Sequence, residues 1–285
     1  MRHNKKKRSV KAKQASKKIH KSVEKQKKPE ITTASYSVIG DRLTQEDAVY
    51  LSREGTVSLT QKSRVLAVIC DGMGGMVNGG WASATAIQMI KDAFEQVQED
   101  SEVNIPNFFI SGIKTIDKTI NDFPKENGRG SGTTMVAVLV ENSQLYWASV
   151  GDSRIYILRE KTITQVTRDH NYMLRLQSLV DQGQITQEEA NANRQREALI
   201  SFLGIGNVSL LDVNMDPFQL QSGDIILLTS DGMTKVLSEE QIKDILDGNS
   251  SVEDKAKKLV ETAVEQNMRS QDNTTVAVLQ YQETI

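Results

Sequence analysis

The run Arg64-Val65-Leu66-Ala67-Val68-Ile69 leads into Cys70-Asp71-Gly72-Met73-Gly74-Gly75, and this junction constrains the fold more than any other stretch. A short apolar run rich in β-branched residues reads as a buried strand. The glycines behind the acid relieve steric limits on the backbone. Ile87, Ile90, Phe94 and Val97 then recur at helical spacing, which predicts a helix over 81–97. The unit is strand, acid on a glycine-rich bend, helix. An acid in that position can offer a hard cation both carboxylate and backbone carbonyl oxygens. The same residues also fit a tight turn whose Asp bonds only its own backbone.

Further strands are expected over 34–39, 48–51, 133–140, 144–150, 154–158, 162–166, 210–213, 225–229 and 274–281. Glu141-Asn142-Ser143 reads as a hairpin turn between two of them. Phe109, Ile113, Ile116, Ile120 and Phe123 mark a second amphipathic helix, and Val252, Ala256, Leu259, Val260 and Ala263 a later one. Ser238 with Gln241 forms a capping box for a short helix between. Strands that mostly follow one another, with helices in two sequential pairs, predict antiparallel sheets covered by helices. Residues 168–204 are polar, lack a strand pattern and read as an insertion over the surface.

Charge divides the chain. Residues 1–30 hold thirteen Lys/Arg against two Glu, about +11, so the remaining 22 basic and 35 acidic residues carry about −13. The reading is a basic arm, disordered by composition, ahead of one domain over 31–285. The arm suits contact with nucleic acid, an anionic membrane surface or the acidic body itself, and a solubilising tail has the same composition. No apolar run reaches membrane-span length and none follows the basic start as in a signal peptide, so a cytoplasmic location is expected. One Cys and three His leave almost nothing for a thiolate or imidazole zinc site. Metal chemistry here must be carboxylate chemistry, which favours Mg²⁺ or Mn²⁺.

Acids recur at strand ends. Glu46-Asp47 precedes a short strand with Arg42 four residues ahead; Asp152 follows Val150-Gly151; Asp231-Gly232 closes an apolar run as Asp71-Gly72 does; Asp272-Asn273 precedes the last strand. Each alone reads more readily as a turn carboxylate. Gathered in one fold they repel unless cations neutralise them. Such a cluster suits two hard cations about 3.5–4 Å apart, with an activated water between them for in-line attack on phosphorus. Arg42 offers a planar fork of donors to phosphate, or a salt bridge to Glu46. Other chemistries lack their residues. Cys70 heads no Cys-x₅-Arg loop and reads as a buried thiol, and Trp81-Ala82 after Gly80 breaks a P-loop. Gly130-Ser131-Gly132 is no nucleophile elbow. His170 beside Asp169 reads as a structural hydrogen bond.

The order of these motifs resembles the metal-dependent protein serine/threonine phosphatases of the PPM, or 2C, type. Arg42-x-x-x-Glu46-Asp47, Asp71-Gly72-Met73-Gly74-Gly75 and Gly80-x-Ala82-Ser83 come first. Ser131-Gly132-Thr133-Thr134, Val150-Gly151-Asp152-Ser153-Arg154 and Thr167-x-Asp169-His170 follow. Gly223-Asp224 with Leu227-Leu228-Thr229-Ser230-Asp231-Gly232, then Asp272-Asn273, complete the set. The resemblance spans about 35–280. It implies an α+β, four-layer αββα sandwich, two antiparallel sheets flanked by helix pairs, with 168–204 as a flap that influences substrate choice. It implies that Asp71 bridges two Mn²⁺ or Mg²⁺ ions, that the Gly72 carbonyl binds one, and that Asp231 and Asp272 hold the other. Glu46 and Asp47 would act largely through waters on the ions, Arg42 would bind substrate phosphate, and Asp152 with Asp231 would match a third-metal site. Met73, where many eukaryotic members carry His, matches bacterial-type members. Gln45 replaces the usual Asn, and Arg196-Glu197-Ala198-Leu199 departs from the commoner Arg-Asn.

The function so implied is hydrolysis of phosphoserine and phosphothreonine in proteins by a water between the ions, with no covalent intermediate. Phosphoproteins would be the substrates, a bacterial Ser/Thr kinase a plausible partner and a monomer the family default. A phosphoprotein-binding scaffold without activity predicts lost ligands, and Asp71, Asp231 and Asp272 are all present.

Overall fold

The computed structural model describes residues 28–60, 63–73, 78–97, 102–125, 130–266 and 270–284. The arm up to residue 27, Gly74-Gly75 and the start of the glycine bend at 128–129 lie outside the described residues. The first elements are β1 (Lys28–Val38), β2 (Asp47–Leu51), β3 (Gly55–Ser58), β4 (Arg64–Asp71), α1 (Gly79–Glu95) and α2 (Ile105–Asn121). Next come β5 (Met135–Glu141), β6 (Gln144–Val150), β7 (Arg154–Arg159), β8 (Thr162–Gln165), α3 (Tyr172–Asp181) and α4 (Gln187–Ala192). The last are β9 (Asp212–Val213), β10 (Phe218–Gln219), β11 (Ile225–Thr229), α5 (Asp231–Thr234), α6 (Glu239–Leu246), α7 (Val252–Gln266) and β12 (Thr274–Thr284).

One six-stranded sheet runs β3-β1-β12-β11-β7-β8; the other runs β10-β6-β5-β4-β2, with β9 also on β6. All named pairings are antiparallel. Val65, Ala67 and Ile69 of β4 point between the sheets and meet a core that includes Val138, Ile226, Leu228, Ala277 and Leu279. Leu66, Val68 and Cys70 point the other way, into Ile90 of α1 and Phe109 and Ile113 of α2. Strand side chains alternate faces, so a strand buried on both reads as one unbroken apolar run. Phe109 is fully buried, and its truncation to Ala would cost about 3–5 kcal/mol. On the outer face of the first sheet, Leu227, Val276 and Val278 pack on Ile242 and Leu246 of α6 and Ala256 and Leu259 of α7. The layers are therefore αββα, as expected.

The capping box at Ser238 and Gln241 forms, and a second, at Thr186 and Glu189, starts α4 inside the polar insertion. The Asn142-Ser143 turn has both residues at positive φ, 50° and 65°, the twist a tight hairpin needs. Two expectations shift. The strand expected over 210–213 contracts to β9, because the Leu210 carbonyl accepts from Ser201 Oγ. β1 begins at Lys28, where Lys28–Glu30 pair with Thr284–Gln282 of β12. Among the described residues no helix is long and apolar enough to cross a membrane.

Candidate active site

Strand ends from both sheets meet at one end of the sandwich around a cavity of about 380 Å³. Asp71 closes β4, Asp152 follows β6, Asp231 follows β11 and Asp272 precedes β12; all four line the cavity with Arg42 and Glu46. Asp47 does not line it. It sits directly opposite Asp71 in the β2–β4 pair and is 8% exposed, behind the cavity wall. Ser230 Oγ donates to Asp47 Oδ2 at 2.8 Å, which joins the two sheets beneath the site.

Close backbone contacts hold this geometry. Gly72 N donates to the Glu46 carbonyl at 3.0 Å, and a Cβ on Gly72 would lie 2.4 Å from the Gly79 oxygen. Ser83 Oγ also donates to that Glu46 carbonyl. The Gly80-x-Ala82-Ser83 segment thus docks the start of α1 on the Glu46 loop. Asn273 organises the same loop: Oδ1 accepts from Glu46 N, and Nδ2 donates to the carbonyls of Ile39 and Thr44. Thr134 Oγ1 accepts from Asp71 N at 3.0 Å and shares a 2.7 Å hydrogen bond with Ser153 Oγ. Gly151, at φ 103°, lies so close to Thr134 that a Cβ would meet its methyl at 2.6 Å.

The carboxylates disturb one another. Burial raises Asp71 well above the usual range, and Asp47, Asp231, Asp152 and Asp272 raise it further. Burial pushes Asp47 up to about 6 against the Ser230 hydrogen bond, and burial with Asp231 pushes Asp152 up to about 7. Two side-chain cations offset part of this charge. Arg42 Nη2 donates to Asp272 Oδ2 at 2.7 Å, and the Lys235 ammonium contacts Asp231 Oδ2. Among the described residues, no three acidic, His or Cys side chains form a metal-binding group. The donor set nevertheless suits hard cations. Its carboxylates and the Gly72 carbonyl offer only oxygen, and the acids carry mutual repulsion that cations would relieve.

The remaining motif residues are structural. Arg154 grips Asp169 through two hydrogen bonds of 2.9 and 2.7 Å. His170, fully buried, accepts from Gly151 N at Nδ1, the structural hydrogen bond expected of it. Asp224 pairs with Arg159 at the far end of β11 from Asp231. Cys70 is a buried free thiol. Sequence reasoning missed Lys235, although its place four residues beyond Asp231 on a helical turn was a usable signal. It also gave no role to Asn273 or Ser230, whose contacts are long-range. In the flap, Glu197 and Leu199 reach the cavity.

The comparisons with known proteins agree with this geometry. A family model described as "Protein phosphatase 2C" matches residues 34–175. Protein phosphatase PhpP of Streptococcus pneumoniae is 31% identical over 245 residues, covering 85% of this chain and 94% of PhpP. The solved serine/threonine phosphatase of S. agalactiae superposes with a TM-score of 0.75 at 27% identity, over 88% of this chain and 99% of its own. The catalytic domain of the serine/threonine protein phosphatase PstP, solved in complex with two manganese ions, superposes with a TM-score of 0.67 at 29% identity, over 89% of this chain and 99% of its own. With a relative of this identity aligned over nearly its whole length, and with the expected acids gathered at one cavity, the chain belongs to the protein phosphatase 2C family.

Proposed function

We propose that the protein hydrolyses phosphoserine and phosphothreonine in proteins with two Mn²⁺ or Mg²⁺ ions. The observation that carries this reading is the cavity in which Asp71, Asp152, Asp231 and Asp272 face Arg42. Asp71, the Gly72 carbonyl, Asp231 and Asp272 would hold the ions, and Asp152 beside Asp231 would offer a further carboxylate to them. When bound, the ions supply Lewis-acid stabilisation of phosphoryl charge and an activated water. The chain's own residues do the rest. Arg42 leaves Asp272 to fork onto the phosphate oxygens. Glu46 orients water at the cavity edge, and Asp47 supports Asp71 from behind through its tie to Ser230. With Asp71, Asp152, Asp231 and Asp272 committed to the ions in this reading, attack by water instead of by a side chain fits the site.

Residues 31–285 form the phosphatase domain in this reading and 168–204 its flap. In this reading the protein works as a cytoplasmic monomer opposing a bacterial Ser/Thr kinase; a single, buried Cys70 suits a reducing compartment. The basic arm offers a second, compatible activity on nucleic acid or an anionic membrane; binding that falls steeply with salt and vanishes on deletion of residues 1–27 supports it. The central test is phosphate release from a phosphothreonine peptide with Mn²⁺, beside EDTA and Asp231→Asn. Turnover abolished by both controls supports the proposal; no turnover by folded protein with Mn²⁺ bound overturns it.

A further inference from the structure

The flap presents two residues to the cavity, Glu197 and Leu199. They ride on a backbone strip fixed on both sides. Met173 N donates to the Arg196 carbonyl at 2.8 Å, Tyr172 N to the Ala198 carbonyl at 2.9 Å, and Ile200 N to the His170 carbonyl at 2.9 Å. His170 is itself tied to Gly151, next to Asp152. The backbone that carries Glu197 is therefore held in a set position relative to the acids below. The cavity's two cations are engaged on those acids, Arg42 on Asp272 and Lys235 on Asp231. Glu197 has only an exposed pair with its neighbour Arg196, and its side chain is 64% exposed. Such a pair is weak and exchangeable.

We infer that Glu197 selects phosphoprotein segments with a basic residue close to the phosphorylated one, with Leu199 as an apolar rest for its stem. The inference depends on the phosphatase reading above. A peptide whose phosphate reaches Arg42 enters a cavity whose wall also carries Glu197 and Leu199, so flanking residues on the flap side meet that carboxylate and that leucine. An arginine there exchanges with Arg196 as the partner of Glu197, and its methylenes lie along Leu199. The fixed backbone under Glu197 removes part of the ordering cost of that contact.

The test compares three phosphothreonine peptides that differ only in flanking Arg, Gln or Glu, using the full chain with Mn²⁺. For the native protein, kcat/KM for the Arg peptide exceeds that for the Gln peptide by about 1.5- to fivefold, the range of an exposed ion pair. The ratio falls toward one in Glu197→Gln, shifts toward the Glu peptide in Glu197→Lys, and shrinks at high salt. Each ratio is taken within one variant, so an overall loss of activity does not distort it. Hydrolysis of all three peptides with a ratio unmoved by either substitution overturns the inference and leaves the phosphatase reading standing. Hydrolysis of none by the native protein overturns both.

Discussion

Asp47 lies directly opposite Asp71 across the β2–β4 pair, one carboxylate behind the cavity wall and one facing it. Like charges at facing positions oppose strand pairing. The fold tolerates the pair by holding protons: burial pushes Asp47 up to about 6 and Asp152 up to about 7, and raises Asp71 well above its ordinary value. The unfolded chain releases these protons near pH 3.9. Between roughly pH 4 and 7 the native state therefore binds more protons than the unfolded one, and stability falls as pH rises. EDTA-treated protein should show a lower Tm at pH 8 than at pH 5, with Mn²⁺ restoring most of the difference. A Tm that climbs from pH 5 to 8 without metal would contradict this.

Lys235 competes for the carboxylate that Asp231 offers. Its removal costs the site little, because the lysine side chain is 52% exposed and such pairs contribute about 0.2–1 kcal/mol. Lys235→Gln should therefore tighten Mn²⁺ up to about fivefold by calorimetric titration. Weaker binding would show that the ammonium supports the site instead of blocking it.

Asp231→Asn removes the charge and keeps the shape. If Asp231 holds an ion used in the reaction, kcat should fall by about a thousandfold or more, the scale of losing roughly 4 kcal/mol of transition-state charge stabilisation. Circular dichroism should be unchanged. Folded Asp231→Asn with near-native turnover would remove Asp231 from the mechanism.

The parts of this architecture that rest on local pattern were legible in the sequence. β4 announced itself because both its faces are buried, and the Ser238 box because its partners are three residues apart. Arg42, Asp71, Asp152, Asp231 and Asp272 were found from strand-end acids and motif order, and the fold brings them to one cavity. Long-range organisation was not legible. Asn273 bonds to Ile39, Thr44 and Glu46, more than 225 residues away in the chain, and no periodicity encodes that. The placement of Asp47 behind the cavity depends on the β2–β4 register, which neighbouring residues alone do not set.

Gly72 tests whether the bend itself matters. A methyl there meets the Gly79 oxygen at 2.4 Å and the Glu46 oxygen at 2.6 Å, both backbone atoms that cannot rotate away. Gly72→Ala should separate the Glu46 loop from the start of α1, with a loss of about 1–3 kcal/mol by urea unfolding and weakened Mn²⁺ binding. Native stability together with native Mn²⁺ affinity would show that the contact relaxes freely.

His170 connects the base of the 168–204 insertion to the cavity acids through Gly151, and its replacement separates scaffold from chemistry. The ring accepts from Gly151 N at 3.2 Å, while Nε2 lies 3.3 Å from Asp212 Oδ2 without a hydrogen bond. Burial lowers its pKa despite Asp212, so the neutral ring is the resident form. Phenylalanine fills a similar volume but leaves the Gly151 N–H unsatisfied in a buried place, which costs about 1–3 kcal/mol. Gly151 precedes Asp152, so the disturbance reaches one side of the cavity and leaves Asp71 and Asp272 in place. His170→Phe should lower the urea midpoint, remove any gain in stability between pH 5 and 7 that comes from this ring, and weaken an ion at Asp152 more than the other two. Equal weakening at every ion would mean that His170 supports the whole cavity instead of the Asp152 side alone.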